Sequence, residues 1–294
     1  MTRRPNQPAN RSAGRGSGPA SGRTSGKTPV RFERQRRAAP RAPEAATPSE
    51  TPPALLDVRL LDNHLLVVVK PAGLLAQADR TGDADVLTLG KAFVKAHFGK
   101  PGEVFLGLVH RLDRPVSGLM VLARTSKAAA RLSAQFRERT LAKTYVALVE
   151  GRLDARAVFE DFLLKTDETV RVVRAGTPGA KAARLRAEPL LYHDGRTLVG
   201  IHLDTGRAHQ IRVQLAARGH ALVGDRRYGA AAAWRGGRIA LHSAALAFAH
   251  PTRPETVRVT APPDWPAPFG PAAAAWLASQ EPDDPESPGT VQGG

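Results

Sequence analysis

The chain has no cysteine, which excludes a disulfide framework, a thiol nucleophile, an iron–sulfur cluster and any cysteine-ligated zinc or deaminase site. A metal would have to be held by histidines and carboxylates. Aromatic residues make up only 5% of the sequence, too few for an extended platform on which single-stranded bases stack. Long apolar runs are missing as well. The longest uninterrupted aliphatic stretch, Leu65 to Val69, is far too short to cross a bilayer. The opening Met-Thr-Arg-Arg-Pro leads into no apolar secretory segment, so a soluble, cytoplasmic protein with no membrane contact is expected. Cofactor fingerprints are absent too: there is no glycine-rich dinucleotide or phosphate loop, and Gly90-Lys91 lacks the upstream glycine spacing and the following Ser or Thr. No cofactor is expected.

Positive charge is abundant. The 294 residues carry 43 Lys plus Arg against 27 Asp plus Glu, a formal charge of +16, and such a field attracts polyanions, of which nucleic acid is the commonest. Residues 1–53 hold 11 basic and 3 acidic residues, nine Pro and five Gly, with Val30 and Phe32 almost the only large apolar side chains. This segment cannot bury a core and reads as a disordered basic arm, able to grip phosphates without sequence choice or simply to solubilise. Residues 281–294, opening Glu-Pro-Asp-Asp-Pro-Glu, read as a loose acidic tail. Residues 54–280 retain 32 basic against 20 acidic residues, so +12 belongs to the expected folded domain itself.

Within 54–280 the hydrophobic period switches repeatedly between two and 3.6. Val58–Leu60 and Leu65–Val69 flank a turn at 62–64, and further strands are expected at 106–109, 119–123, 143–149, 183–192, 197–203, 239–249 and 256–259. His193-Asp-Gly-Arg196 is a strong hairpin signal. Helices are expected over 85–98, 126–139 and 208–218, the first stopped by Gly99 and Pro101 and the last by Gly219. Because the strands come in hairpins rather than in strict alternation with helices, the expected class is α+β, with a mixed, largely antiparallel central sheet flanked by helices.

Two polar islands lie inside apolar flanks: His110-Arg-Leu-Asp113-Arg-Pro-Val-Ser-Gly118 and Thr205-Gly-Arg-Ala-His-Gln-Ile-Arg212. Asp113, just past a strand-like run and between Arg111 and Arg114, is favoured in its ionised form by the neighbouring charge. It could serve as nucleophile, base or metal ligand, or merely form a loop ion pair with Arg111. His110, His202, His209 and His242 could in principle surround a metal, but none pairs with a carboxylate at helical ligand spacing; hydrogen-bonded histidines and no metal site are the expectation.

These islands resemble the RluA-type pseudouridine synthases. The resemblance rests on Lys70-Pro-Ala-Gly-Leu74, His110-Arg-Leu-Asp113 with Ser117-Gly-Leu, Lys143-Thr-Tyr-Val-Ala147, and Thr205-Gly-Arg-Ala-His-Gln-Ile-Arg212. It continues through Gly219-His220, Val223-Gly-Asp225, Tyr228-Gly229, Leu241-His242 and His250-Pro251. The islands follow the family's order and spacing over most of 54–262. By this resemblance the domain has the pseudouridine synthase catalytic fold, and Asp113 is the catalytic aspartate, Tyr145 the active-site tyrosine and Arg212 the basic partner of the aspartate. Arg111 is similar to the family's arginine that contacts RNA near the vacated position. His110, Arg207 and His209 would contact substrate or order the loop, and Leu241 resembles the apolar contact to the base. Read without the family, Tyr145 is a strand aromatic filling the core, and Leu241 is explained by burial.

The implied activity is isomerisation of uridine in ribosomal or transfer RNA, without metal or cofactor, by a protein that is monomeric. Two other readings are a non-catalytic RNA-binding or ribosome-assembly protein on the same fold, and a metal-dependent phosphodiesterase using His110, Asp113 and His209. Departures from the family pattern are Val116 for a frequent Thr, Gln214 for a frequent His and Ser243 for a frequent Ala. A disordered arm also stands where many relatives carry a small folded RNA-binding domain.

Overall fold

The computed structural model describes residues 56–167 and 169–280; the expected arm at 1–53 and tail at 281–294 lie outside the described residues. Strand formation begins with β1 (Asp57–Leu61) and β2 (Leu65–Lys70), an antiparallel pair around the 62–64 turn. β2 is Leu-Leu-Val-Val-Val-Lys, apolar on both faces, and the sheet buries both: Leu66 and Val68 join one core cluster, Leu65 and Val67 another. β3 (Gly107–Leu108) and β4 (Ser117–Ala123) follow helix α1 (Val86–His97). Helix α2 (Ser126–Glu138) leads into β5 (Ala142–Glu150). Both helices start on a side-chain cap, Asp85 accepting from the Thr88 N–H at 3.0 Å and Thr125 from the Ala128 N–H at 3.2 Å, which satisfies amide donors that have no partner within the helix.

The second half contributes β6 (Ala157–Lys165), β7 (Val170–Val173), β8 (Lys181–His193) and β9 (Arg196–Leu203). Next come α3 (Gln210–Ala216), β10 (Leu241–Ala249), β11 (Thr256–Thr260) and α4 (Phe269–Ser279). Asp194 and Gly195 both take positive φ, 47° and 69°, as a two-residue hairpin between β8 and β9 requires. The strands form one sheet in the order β1-β2-β4-β10-β5-β9-β8-β6-β7, with β3 on β4 and β11 on β10. Among the pairings of named strands only β4 with β10 is parallel. The mixed, largely antiparallel class is therefore observed. None of the helices among the described residues is long and apolar enough to cross a membrane.

Both faces of the sheet are covered. Tyr145, Ala147 and Val149 of β5 pack with Val86 and Val94 of α1 and Ile211 and Leu215 of α3. On the other face Val146 and Leu148 pack with Phe269, Ala273 and Leu277 of α4, while Ala128 and Leu132 of α2 seal Leu119 and Val121 of β4. Several elements differ from the sequence expectation. β6, β7, α4 and a short 3-10 turn at Arg226–Tyr228 were not anticipated. α3 starts at Gln210 instead of 208, because His209 takes φ 50°, outside the helical region. β4 takes in Ser117, which reads as loop in the sequence.

Candidate active site

The polar island at 110–117 is the connection between β3 and β4, closed by a turn in which the Val116 N–H donates to the Asp113 carbonyl at 3.0 Å. Lys70, at the end of β2 and fully buried, holds this loop from below. Its Nζ donates to the carbonyls of Pro71 (3.0 Å), Leu74 (2.8 Å) and Arg114 (3.1 Å). Burial pushes the Lys70 ammonium down to about 7, against the pull of the Asp113 charge. Its three N–H donors match three acceptors. Gly73, at φ 98°, donates its N–H to the Arg114 carbonyl at 2.7 Å and accepts from Arg114 Nε at 3.1 Å. The Lys-Pro-Ala-Gly stretch thus clamps the loop that carries Asp113.

Asp113 meets Arg212 of α3. Arg212 Nη1 donates to Asp113 Oδ2 at 3.0 Å, while its Nε and Nη2 donate to Asp225 Oδ2 and Oδ1 at 2.7 and 2.9 Å. The guanidinium is buried with Asp225, whereas the Asp113 side chain keeps 34% exposure. Burial opposes the Arg212 charge, but the hydrogen bonds and charge of Asp225, then those of Asp113, more than offset it and raise the guanidinium above the ordinary arginine range. The result is a fixed cation with one carboxylate behind it and one accessible carboxylate in front. The loop ion pair between Arg111 and Asp113, one of the two alternatives the sequence left open, does not form: Asp113 pairs with Arg212 and His209. Arg111 is exposed and has no ion pair among the described residues.

A second support reaches Asp113 through His209. The Tyr228 hydroxyl accepts from the Val170 N–H at 3.1 Å and lies 2.7 Å from His209 Nδ1. Burial, then the nearby Arg212 and Arg227 charges, lower the His209 pKa, with Asp113 and Asp225 working the other way. The ring's other nitrogen, Nε2, lies 3.5 Å from Asp113 Oδ2.

All eight residues singled out from the sequence (Asp113, Tyr145, Arg212, Arg111, His110, Arg207, His209 and Leu241) line one cleft of about 510 Å³. Tyr145 stands on β5, opposite Ser243 of β10. Burial pushes its phenol up to about 12, with Ser243 working against the rise and the Asp113 charge adding to it, so the hydroxyl keeps its proton at neutral pH. Leu241 and Tyr145 are both buried members of the core cluster on this face. Arg207 Nε donates to the Ala182 carbonyl at 3.0 Å. His110 is held by the fold: its Nε2 accepts from the Val121 N–H at 2.9 Å, its ring stacks on Phe136, and burial pushes it down to about 3. Its Nε2 is thus taken by the backbone of β4. Among the described residues no three His, Asp or Glu side chains gather as metal ligands.

Sequence reasoning assigned no role to Asp225, Tyr228, Lys70 or Lys143, and left Arg139 on a helix face open to solvent or to phosphate. The first four stood inside quoted motifs, and for Asp225 the usable signal was an acid one residue beyond the apolar run Ala221 to Val223, since a buried carboxylate demands a cation.

Comparison with known proteins fits this geometry. Residues 64–217 match a family model described as RNA pseudouridylate synthase. A Bacillus subtilis protein named as an uncharacterized RNA pseudouridine synthase is 33% identical over 210 residues, 70% of this chain and 68% of its own length. The ribosomal large subunit pseudouridine synthase C of Escherichia coli is 34% identical over 244 residues, 78% of this chain and 73% of that protein. Its Vibrio cholerae namesake is 35% identical over 207 residues, 68% of this chain and 64% of that protein. The chain thus spans about two thirds of the length of these relatives. A solved structure, human RNA pseudouridylate synthase domain containing 4, superposes with a TM-score of 0.60 at 22% identity, covering 77% of this chain and 94% of that one; this likeness concerns the fold.

Proposed function

Because this chain belongs to the RNA pseudouridylate synthase family, and is therefore an isomerase acting on RNA, we propose that it converts uridines of ribosomal RNA to pseudouridine with Asp113 as nucleophile. The ribosomal substrate is favoured by relatives whose names specify the large ribosomal subunit. The reaction cleaves the bond from N1 of the base to the sugar and rebuilds it at C5; C5 gives up its proton and N1 ends protonated. It needs a nucleophile and no net oxidation. Asp113 adds either to the base or to the sugar, and both routes start from the carboxylate that Arg212 faces at 3.0 Å. Tyr145, protonated at neutral pH, packs against the base and offers a proton carrier beside it. Leu241 supplies apolar contact, and Arg111, at the rim, contacts RNA where the base has left.

A stacked base cannot reach a carboxylate at the bottom of a cleft, so the target uridine leaves its helix, and phosphate contacts offset the unstacking. The single observation that carries the reading is the Asp113–Arg212–Asp225 array: an accessible carboxylate backed by a buried cation that a second carboxylate fixes.

Mapping pseudouridine in cellular RNA with and without the gene tests it. Specific ribosomal positions are expected to revert to uridine, and to stay so when the gene returns as Asp113→Asn, a protein that still binds RNA. Loss at transfer RNA positions would move the substrate, and an unaltered map would favour an assembly factor.

A further inference from the structure

One wall of the cleft carries charge that the chemistry above does not use. Lys143, on β5 two residues before Tyr145, is buried to 9% exposure and lines the cleft. Yet its ammonium makes no hydrogen bond and no ion pair among the described residues. Its nearest acid in electrostatic terms, Asp204, lies against Arg184 and Arg186 at 3.3 and 3.6 Å. Gly206 lies beside the ammonium, where a Cβ would stand in ordinary contact with Nζ at 3.4 Å.

Two further cations share the wall. Arg139 and Arg207 also line the cleft. Arg139 caps α2 in the left-handed region at φ 63°, a position that glycine fills by default, so a long cationic side chain is held there against the backbone's preference. Burial, then the charge of Arg139, lower both Lys143 and Arg207. Three like charges from a strand, a helix cap and a loop, one of them on a largely buried side chain, oppose one another until an anion joins them.

We propose that Lys143, Arg139 and Arg207 form a phosphodiester-binding subsite in the cleft wall, which grips the RNA backbone at or beside the extruded nucleotide. The proposal rests on RNA being the substrate. It identifies the ligand by its chemistry: one phosphodiester anion, held by an ammonium inside the wall and two guanidinium groups nearer the rim.

The test compares Lys143→Met, Lys143→Arg and the parent, all as full chains. Binding is titrated with transcribed large-subunit ribosomal RNA over a range of salt, in the Asp113→Asn background so that nothing turns over. Losing one phosphate contact lowers the slope of log K against log salt by about 0.7, a roughly fivefold weaker affinity at about 0.1 M salt if the two proteins bind equally near 1 M. Lys143→Arg is expected to restore the slope. Lys143→Met should melt at or above the parent temperature, because a like charge has gone.

An unchanged slope, or a lower melting temperature with an unchanged slope, would make Lys143 a structural residue and overturn the subsite. A fall in kcat at constant KM with Asp113 present would place Lys143 in the chemistry instead and equally overturn it. Lys143-dependent stabilisation by inorganic phosphate, with no change in the RNA slope, would assign the wall to a free anion and also defeat the proposal. Product formation separates the two readings: an altered slope without pseudouridine would sink the isomerase assignment alone, and pseudouridine with an unaltered slope would sink the subsite alone.

Discussion

Arg212 is shared between two carboxylates that do different work. Asp225 takes two of its N–H groups in a bidentate grip, and Asp113 takes one. A guanidinium held on its buried side cannot swing toward Asp113 or away from it, so the Asp113 oxygen meets a fixed counter-charge. Asp225→Asn keeps the shape, replaces one acceptor by an N–H donor and leaves Asp113 as the sole anion on the guanidinium. The expected result is a fall in single-turnover pseudouridine formation of at least tenfold with little change in RNA affinity. Breaking such a buried pair also costs about 3 kcal/mol of stability, read by thermal melting. A variant that loses stability but keeps its rate would make Asp225 a purely structural partner. The sequence displayed the front of this array and concealed its back. Asp113 and Arg212 sit in polar islands that stand out from apolar flanks, whereas Asp225 follows Leu-Val-Gly and reads as a turn residue until the fold shows what it meets.

Between strands, one short contact sets the geometry of the cleft. β4 and β10 pair in parallel through only His242 with Ser117 and Ser243 with Gly118. Ser117 Oγ lies 2.8 Å from His242 Nδ1, whose other nitrogen lies 2.9 Å from the Ala261 carbonyl. Gly118 takes φ 119°, and a Cβ there would stand 2.3 Å from the Ser243 carbonyl oxygen. Gly118→Ala therefore pries β10, with Leu241 and Ser243, away from the strand that ends the Asp113 loop. Gly200→Ala offers the contrast, because its Cβ would meet the Trp276 ring at 2.3 Å, on the face that α4 covers. Overpacking of this kind costs about 1–3 kcal/mol, so both variants should melt lower. Only Gly118→Ala is expected to lose rate, tenfold or more, at a temperature where it remains folded; equal rates in both would mean that this junction does not set the site. None of this pairing was readable from the sequence, since it joins residues about 125 apart. β6 was hidden for a different reason: Val158 and Phe162 put apolar side chains on its solvent face and erase the period-two alternation. In α4 a run of four alanines carries no periodicity, and the helix is fixed by Phe269, Ala273 and Leu277 against the sheet. The hairpins and the first two helices were legible because turn residues and caps mark them locally.

At the scale of the whole chain the question is how a +16 protein divides its grip on RNA between a shaped cleft and an unshaped excess of charge. Residues 54–280 hold a net +12 and residues 1–53 a net +8. By the subsite proposed above, the cleft cations act at fixed positions, each making one contact at one nucleotide. The charges of 1–53 sit in a Pro- and Gly-rich sequence with almost no large apolar side chain, and the expectation is that they add affinity without choosing among sequences. Removing residues 1–53 is expected to lower the slope of log K against log salt by about 2 or more, several times the effect of losing Lys143 alone. The melting temperature should not change, because the sheet begins at Asp57. The fold preference for target RNA over a mixed-sequence RNA of equal length should also survive the deletion, as expected where the cleft proposed above makes the choice. Combined with Lys143→Met, the two losses should add within error, as independent contacts do. An unchanged slope after truncation would mean that these eleven cations do not touch phosphate, and a collapsed preference would move target choice out of the cleft and into the segment that precedes it.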